Sequence, residues 1–504
     1  MKKLLTLLFI IILGATLRIY GLDKRPVGFT WDEAALGYNA YSLIKTGKDE
    51  HGQILPIVFK SFGDYKPGLY IYLTTSTIKF FGLNEMATRL PSAIAGILLI
   101  VVVYLLSRNL YASFLLAINP WALQFSRGAW EANVFILLLT LGTVLFIKNR
   151  YLLSGIFLGL TFWTYQGAKM FAPLIILLLL LVYRKNLNIK KLIWGTVVLF
   201  LFLLPIIIGL PTQSGRLKVS SVFSYTRSNE VTAEILRQDS ENKILYGLFN
   251  SEIIDQGRGI VQRYLNYFSP RFLFLDGDWS NARQTIIYSG NLYLFEFVTV
   301  ILGLATGVGP LLLGWLALAP LPAALSRDII TSVRALPMVI PLVIISGLGA
   351  KKINKYLFLV LSLLFLVRFA DLYWNHDYFF SSNDWVSEYK QTVQRVAMNQ
   401  DEYKNVYFTD LLGQPYIFLL FHQKYDPALY QKDHVYKEGN GGDVGSVTSF
   451  GKYKFGRVYW PEMRGNDDTL FVGGEYELVV DDIKNTEGAK YLGEIGTLRM
   501  VGKK

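Results

Sequence analysis

"LIWGTVVLFLFLLPIIIGL", residues 192–210, decides the fold class. The stretch carries no charged side chain and approaches the roughly 20 apolar residues that cross about 30 Å of hydrocarbon. Three others read the same way: "LLTLLFIIILGATL" (4–17), "LIILLLLLVY" (174–183) and "YLFLVLSLLFLVRFA" (356–370). Of the 504 residues 52% are hydrophobic and 17% charged, a balance that soluble domains rarely reach. The chain reads as a polytopic α-helical membrane protein. Cysteine is absent, which removes disulfides, thiolate nucleophiles and sulfur-ligated metals from consideration.

Working outward from these stretches gives about eleven spans. They cover residues 4–20, 89–107, 111–123, 133–147, 151–165, 170–183, 192–209, 291–305, 310–325, 334–350 and 354–370. The start, "MKKLLTLLFIIILGATLRIYG", resembles a signal peptide but lacks a small-x-small cleavage site, and reads as an uncleaved first span. "ATGVGP" (305–310) breaks what would otherwise be one over-long helix. The segment 111–123 is short for a span.

With the amino terminus inside, the inner connections hold Lys2, Lys3, Arg108, Lys148, Arg150, Arg184, Lys185, Lys190, Lys191, Lys351, Lys352 and Lys355. That is the positive-inside pattern. It predicts a cytoplasmic-membrane protein with three pieces outside: loops 21–88 and 210–290, and a tail 371–504. Residues 1–370 then form a transmembrane domain, and 371–504 a small α/β domain. The net charge of +12 does not point to nucleic acid. The tail holds 15 Lys+Arg against 20 Asp+Glu, so the positive excess lies between the spans, where it meets lipid. In the tail, "NDWVSEYKQTVQRVAMN" has helical spacing, while "KNVYFTD", "GRVYWPEM", "TLFVGGEYELVV" and "TLRMVG" read as strands.

The outer pieces carry the chemistry. "FTWDEAALGY" (29–38) places Asp32 and Glu33 at the start of a helix whose apolar spacing from Ala34 to Ile44 suggests an interfacial element. An acidic residue there is also what a helix N-terminus favours without any function. Cations recur on the same side: Lys66 in "YKPG", Arg89 in "TRLPS", Arg127 in "QFSRGAWEAN", Lys169 in "YQGAK", and Arg271 and Arg283 in "SPRFLFLDGDWSNARQT". Each could simply snorkel toward head groups. Together with a carboxylate pair they suggest a site for an anionic substrate embedded in lipid.

"WDEA", "KPGLYIYL" with "FFGLNEMATRLPSAIAG", and "AINPWALQFSRGAWEANVF" resemble the polyprenyl-phosphate-sugar-dependent glycosyltransferases of the GT-C class. The likeness is to the protein O-mannosyltransferase and lipid A aminoarabinose transferase group. It covers roughly residues 1–370, and "SPRFLFLDGDWSNARQTIIYSGNLYLFE" and "PLPAALSRDIITSVRALPMVIP" extend it. The resemblance implies sugar transfer on the outer face from a polyprenyl-phosphate carrier to a protein or glycolipid acceptor. It assigns Asp32 as general base with Glu33 beside it, and Lys66, Arg127 and Arg89 as donor-phosphate contacts. Trp31, Tyr65, Trp130, Glu131, Arg271 and Arg283 fall to the substrate cleft. One base opposite a leaving phosphate implies inversion. Two departures stand out: the His-Lys-Pro-Pro common in the aminoarabinose transferases is Tyr65-Lys66-Pro67-Gly68 here, and residues 108–114 look shortened. Losing the histidine argues against their kind of metal site, although a divalent ion held by carboxylates stays open.

"DGD" (276–278) has no strand–helix context for a nucleotide sugar, and the four histidines lack zinc-ligand spacing. The rival classes are a lipid-linked-sugar transporter or flippase, which would place charges near the midplane and show repeats, and a non-catalytic assembly subunit acting through the tail.

Overall fold

The computed structural model describes residues 1–209, 221–224, 226–239, 241–439 and 445–504. The expected outer loop 210–290 therefore begins outside the described residues. In chain order come helices α1 (Lys2–Ile19) and α2 (Trp31–Thr46), hairpin strands β1 (Val58–Ser61) and β2 (Asp64–Pro67), α3 (Leu69–Phe81) and α4 (Glu85–Ser107). Next are α5 (Leu110–Ile118), α6 (Pro120–Arg127), α7 (Glu131–Ile147), α8 (Tyr151–Thr161), α9 (Ala168–Tyr183) and α10 (Ile189–Ile208). α11 (Asn229–Gln238), α12 (Glu252–Asn266), α13 (Glu296–Leu304), α14 (Pro310–Leu318), α15 (Val339–Ala350) and α16 (Lys355–Asp371) follow.

Contacts divide the chain into two compact units. The first comprises Met1–Arg18, Ala95–Phe125 and Glu131–Asn375. Its helices α7, α8 and α10 pack in sequence, and α13 and α5 pack on α15. Gly303 makes the α13–α15 approach possible: a Cβ there would lie 1.9 Å from the Ile345 carbonyl oxygen. Arg18 is fully buried and donates to the carbonyls of Leu116 (3.0 Å) and Ala117 (2.8 Å), near the end of α5, where a cation meets the negative pole of the helix.

Among the described residues, four helical stretches are long and apolar enough to cross a membrane: Glu85–Ser107, Ile189–Ile208, Ser332–Ala350 and Lys355–Ser381. A fifth crossing results if α6 and α7, bent by 118°, make one broken span. The stretch read as a span at 111–123 is broken instead. α5 ends at Ile118, Asn119 is extended, and the chain restarts at Pro120, so a single helix does not cross there. The turn expected at 305–310 does separate α13 from α14.

The second unit comprises Ile19–Ile94, Ser126–Trp130 and His376–Lys504. Its carboxy-terminal part holds α17 (Tyr389–Asn399), α18 (Pro415–His422) and α19 (Pro427–Asp433). The strands are β3 (Asn405–Phe408), β4 (Val435–Lys437), β5 (Ser446–Phe450), β6 (Tyr453–Phe455), β7 (Thr469–Gly474), β8 (Ala489–Ile495) and β9 (Leu498–Lys503). They form one sheet in the order β4-β5-β6-β3-β7-β9-β8, with β3 parallel to β6 and β7 and the remaining pairs antiparallel. "GRVYWPEM" is not the expected strand. Pro461 opens a helical turn, Trp460–Met463, and the Trp460 ring packs edge-on against Phe471 at 5.5 Å in the core formed with Val458, Leu478, Ile483 and Val501.

Helix α2 corrects a third expectation. Its apolar side is covered by protein: Ala34, Ala35, Leu36, Tyr38 and Ala40 are buried, and α3, α18 and α19 pack on it. It is a core helix of this unit, not an interfacial one.

Candidate active site

The site grows from the amino end of α2. Thr30 caps the helix, its Oγ1 accepting from the Glu33 N–H (3.3 Å) while Glu33 Oε2 accepts from the Thr30 N–H (3.1 Å). This reciprocal box satisfies two otherwise orphaned donors. A helix turns about 100° per residue, so neighbours on the first turn face different ways. Glu33 points inward and is 4% exposed, whereas the Asp32 side chain is 45% exposed.

Glu33 is held on several sides. Arg89 donates Nε to Oε1 (2.9 Å) and Nη2 to Oε2 (3.1 Å), a bidentate pair, and the Ala129 N–H reaches Oε1 (2.9 Å). Arg89 is itself fully buried and also donates to the carbonyls of Leu22 (3.2 Å), Pro26 (3.4 Å) and Gly28. Arg127, 3% exposed, donates to the carbonyls of Tyr20 (2.9 Å), Gly21 (3.3 Å) and Arg25 (3.4 Å). Two guanidinium groups thus clamp the loop 20–28 that leads into Asp32.

Lys66 comes from β2, opposite Phe59 in the hairpin. Its ammonium pairs with the Asp32 carboxylate. The lysine side chain is 13% exposed, so the pair sits at the mouth of a hollow rather than in open solvent. Asp32, Lys66, Asn39, Ser61, Leu36 and Phe59 contribute to its lining. Trp31 is seated by Gly413, whose φ of +106 lets its backbone lie against the indole; a Cβ there would come within 3.0 Å of the ring.

This arrangement sits on a recognisable scaffold. ArnT from Cupriavidus metallidurans superposes in its apo state with a TM-score of 0.58 at 11% identity, over 98% of this chain and 97% of that one. The same protein bound to undecaprenyl phosphate gives 0.58 at 12% identity over the same shares. The chain has the ArnT fold. Residues 65–208 also match the family model described as dolichyl-phosphate-mannose-protein mannosyltransferase. A lower similarity, TM-score 0.46 at 15% identity over 83% of this chain and 63% of the other, is found to the oligosaccharyltransferase AglB from Archaeoglobus fulgidus in complex with an inhibitory peptide and a dolichol-phosphate. No curated protein sequence matches. The chain therefore resembles the GT-C glycosyltransferases in architecture and is a membrane protein.

The other residues singled out in the sequence are distributed as follows. Tyr65 neighbours Lys66 on β2, paired with Lys60. Trp130 lies in the second unit, its ring edge-on to Trp385 at 6.5 Å. Glu131, Arg271 and Arg283 belong to the first unit. There Arg271 pairs with Asp276 (2.7 Å) and stacks over Trp279, while the Arg283 carbonyl accepts from Gln124 (2.9 Å). Among the described residues no group of three His, Asp or Glu side chains could hold a metal ion.

A buried polar cluster behind α2 escaped the sequence reading. Asn39 donates to Glu50 Oε1 (3.0 Å) and accepts from the Glu50 N–H (2.9 Å), and Tyr416 OH lies 3.4 Å from Oε2. His51 Nδ1 meets His434 Nε2 at 3.4 Å. The signal was present in "KDEHG" (48–52), four consecutive ionisable side chains just after a helix end. Burial pushes Glu50 up to about 8, against the pull of Asn39, and pushes His51 down to about 3. Folded Glu50 therefore binds a proton that the unfolded chain releases above 4.5, and its contribution to stability is lost as pH rises to about 8. His51 acts oppositely, losing stability as pH falls from 6.5 toward 3. The two slopes oppose each other between 4.5 and 6.5, and above 6.5 Glu50 acts alone. Thermal stability should fall from pH 6.5 to 8, by at most about 1.4 kcal/mol per pH unit. Glu50→Gln should flatten that fall; an unchanged profile in the variant would assign the effect elsewhere.

Proposed function

We propose that this protein is a membrane glycosyltransferase that moves a sugar from a polyprenyl-phosphate carrier to a hydroxyl on the outer face, with inversion. The observation that carries this reading is the Asp32–Lys66 pair at the mouth of a hollow on an ArnT fold. In the transfer the bond between the anomeric carbon and the phosphate oxygen breaks, and its electrons leave with the phosphate. The acceptor oxygen attacks from the opposite side and its proton passes to Asp32. Phosphate is a good leaving group once its growing charge is met, and Lys66 supplies a point charge for it.

The resting ion pair gives the cycle an order. While Lys66 is paired with Asp32, the carboxylate is partly neutralised. A donor phosphate competes for the ammonium, and drawing Lys66 away lifts that neutralisation from the Asp32 carboxylate, which then accepts the proton. Arg89 and Arg127, clamped on the loop 20–28, would shape the cleft while Lys66 touches the phosphate; Trp31 and Tyr65 offer ring faces for the sugar. The acceptor would be a protein or glycolipid hydroxyl, reached outside the membrane with the amino terminus inside.

Incubating the purified protein with a panel of polyprenyl-phosphate sugars and candidate acceptors, with mass spectrometry of the products and NMR of the new linkage, tests the reading. Glycosylated acceptor and free polyprenyl phosphate are expected. Intact donor throughout, in the presence of all acceptors, would overturn it. Lys66→Gln should raise the donor KM roughly ten- to a hundred-fold, the weight of one charge-assisted contact of about 1.5–3 kcal/mol, and a donor KM unaltered in that variant would remove Lys66 from the phosphate.

A further inference from the structure

Helix α12 is built inside out. Most of its exposed side chains are apolar: Ile253 is 80% exposed, and Val261 and Leu265 58% each, spaced along one stripe with Gly257 between them. Arg258 and Gln262 are exposed along one edge of the stripe, while the other charged groups turn toward the protein. Glu252 accepts from the Arg227 N–H (3.0 Å), Asp255 pairs with Arg227, and Arg263 donates to the Ala324 carbonyl (3.0 Å). The preceding turn continues the stripe with Leu248 and Phe249, also exposed. A helix facing water shows the reverse pattern.

The same unit supplies its own control. α11, separated from α12 by thirteen residues, is ordinary: Glu230, Glu234 and Arg237 are exposed while Ile235 and Leu236 are partly covered, and Val231 is its one exposed large apolar side chain. Two neighbouring helices of one loop thus present opposite chemistry outward. What meets α12 can be read from its anchor. Tyr264 OH donates to the Ala317 carbonyl (2.8 Å), and α12 packs on the turn 321–324 that continues α14. α14 is wholly apolar with Leu313 exposed, so the bare stripe continues an apolar surface of the membrane-embedded part. Arg258, exposed beside the stripe and 2.7 Å from Asp255, can reach head groups while its stem covers apolar surface.

We infer that α12 and the turn before it lie in the bilayer interface, the apolar stripe sunk into the headgroup–acyl boundary, while α11 stays in water. Part of the loop following α10 is then a lipid-bound element and not a free connection. Such a helix gains its hold from buried apolar area and rests parallel to the surface.

The absence of cysteine makes the test clean. Ile253→Cys, Val261→Cys and Glu234→Cys, each in the full-length chain, are labelled with an environment-sensitive fluorophore and reconstituted in phosphatidylcholine–phosphatidylglycerol vesicles. All three positions are at exposed side chains, and Phe249→Cys stands in for either α12 variant that reconstitutes poorly. Shallow nitroxide lipids should quench the labels at 253 and 261 several-fold more than the label at 234, and aqueous iodide should do the opposite. Equal iodide quenching at all three positions overturns the inference. So does shielding of 253 and 261 from both quenchers, which would put protein on the stripe.

Discussion

Replacing Asp32 by Asn is expected to lower sugar transfer by about 10²–10⁴-fold, the usual weight of a positioned general base. The amide keeps the size of the carboxylate but cannot accept a proton from an attacking hydroxyl. Folding should barely respond. The side chain is 45% exposed, Thr30 and Glu33 make the helix cap without it, and a lost charge near a helix N-terminus costs about 0.3–1 kcal/mol. The kinetic signature separates a base from a binding residue. With the Asp32 carboxylate no longer competing with the phosphate for Lys66, the donor KM should hold steady or fall while kcat collapses. Transfer near the normal rate in Asp32→Asn would end the assignment, whatever the fold.

Much of this site was legible in the sequence because its determinants are local. Asp32 and Glu33 read as the start of a helix, and α2 does begin there, although its cap is Thr30, boxed with Glu33. Asp32 and Glu33 read together as a pair, yet the helix sends one outward and the other into the core. Adjacency in the chain says nothing of a shared face. The partner of Glu33 is Arg89, 56 residues away; no periodicity announces such a contact. The apolar spacing of Ala34 to Ile44 was a true helix signal with an ambiguous destination, because protein and lipid ask for the same side chains. Only the packing of α3, α18 and α19 shows that protein covers it. The reverse holds for α12, whose Ile253, Val261 and Leu265 are bare. "YASFLLAINPWAL" failed as a span for a local reason, Asn119-Pro120, which stops one helix and starts the next.

Arg89→Met should be the most destabilising single change near the site. It leaves the Glu33 carboxylate buried without its bidentate partner, and breaking one side of such a pair costs about 3–5 kcal/mol. The methionine fills much of the arginine stem but satisfies neither carboxylate oxygen, and the carbonyls of Leu22, Pro26 and Gly28 lose a donor as well. Glu33→Gln should cost less, since an amide oxygen still accepts from Thr30 or Ala129. Combining the two removes the stranded charge, so the double variant should be more stable than Arg89→Met alone, a non-additivity that thermal unfolding in detergent reads directly. The comparison also decides between two roles for Arg89. A guanidinium that contacts donor phosphate would, when removed, raise the donor KM and leave unfolding almost unchanged, and adding Glu33→Gln would rescue nothing. A guanidinium that clamps Glu33 and the loop 20–28 predicts lost stability, partial rescue by the second substitution, and a fall in transfer that follows the misplacement of Asp32.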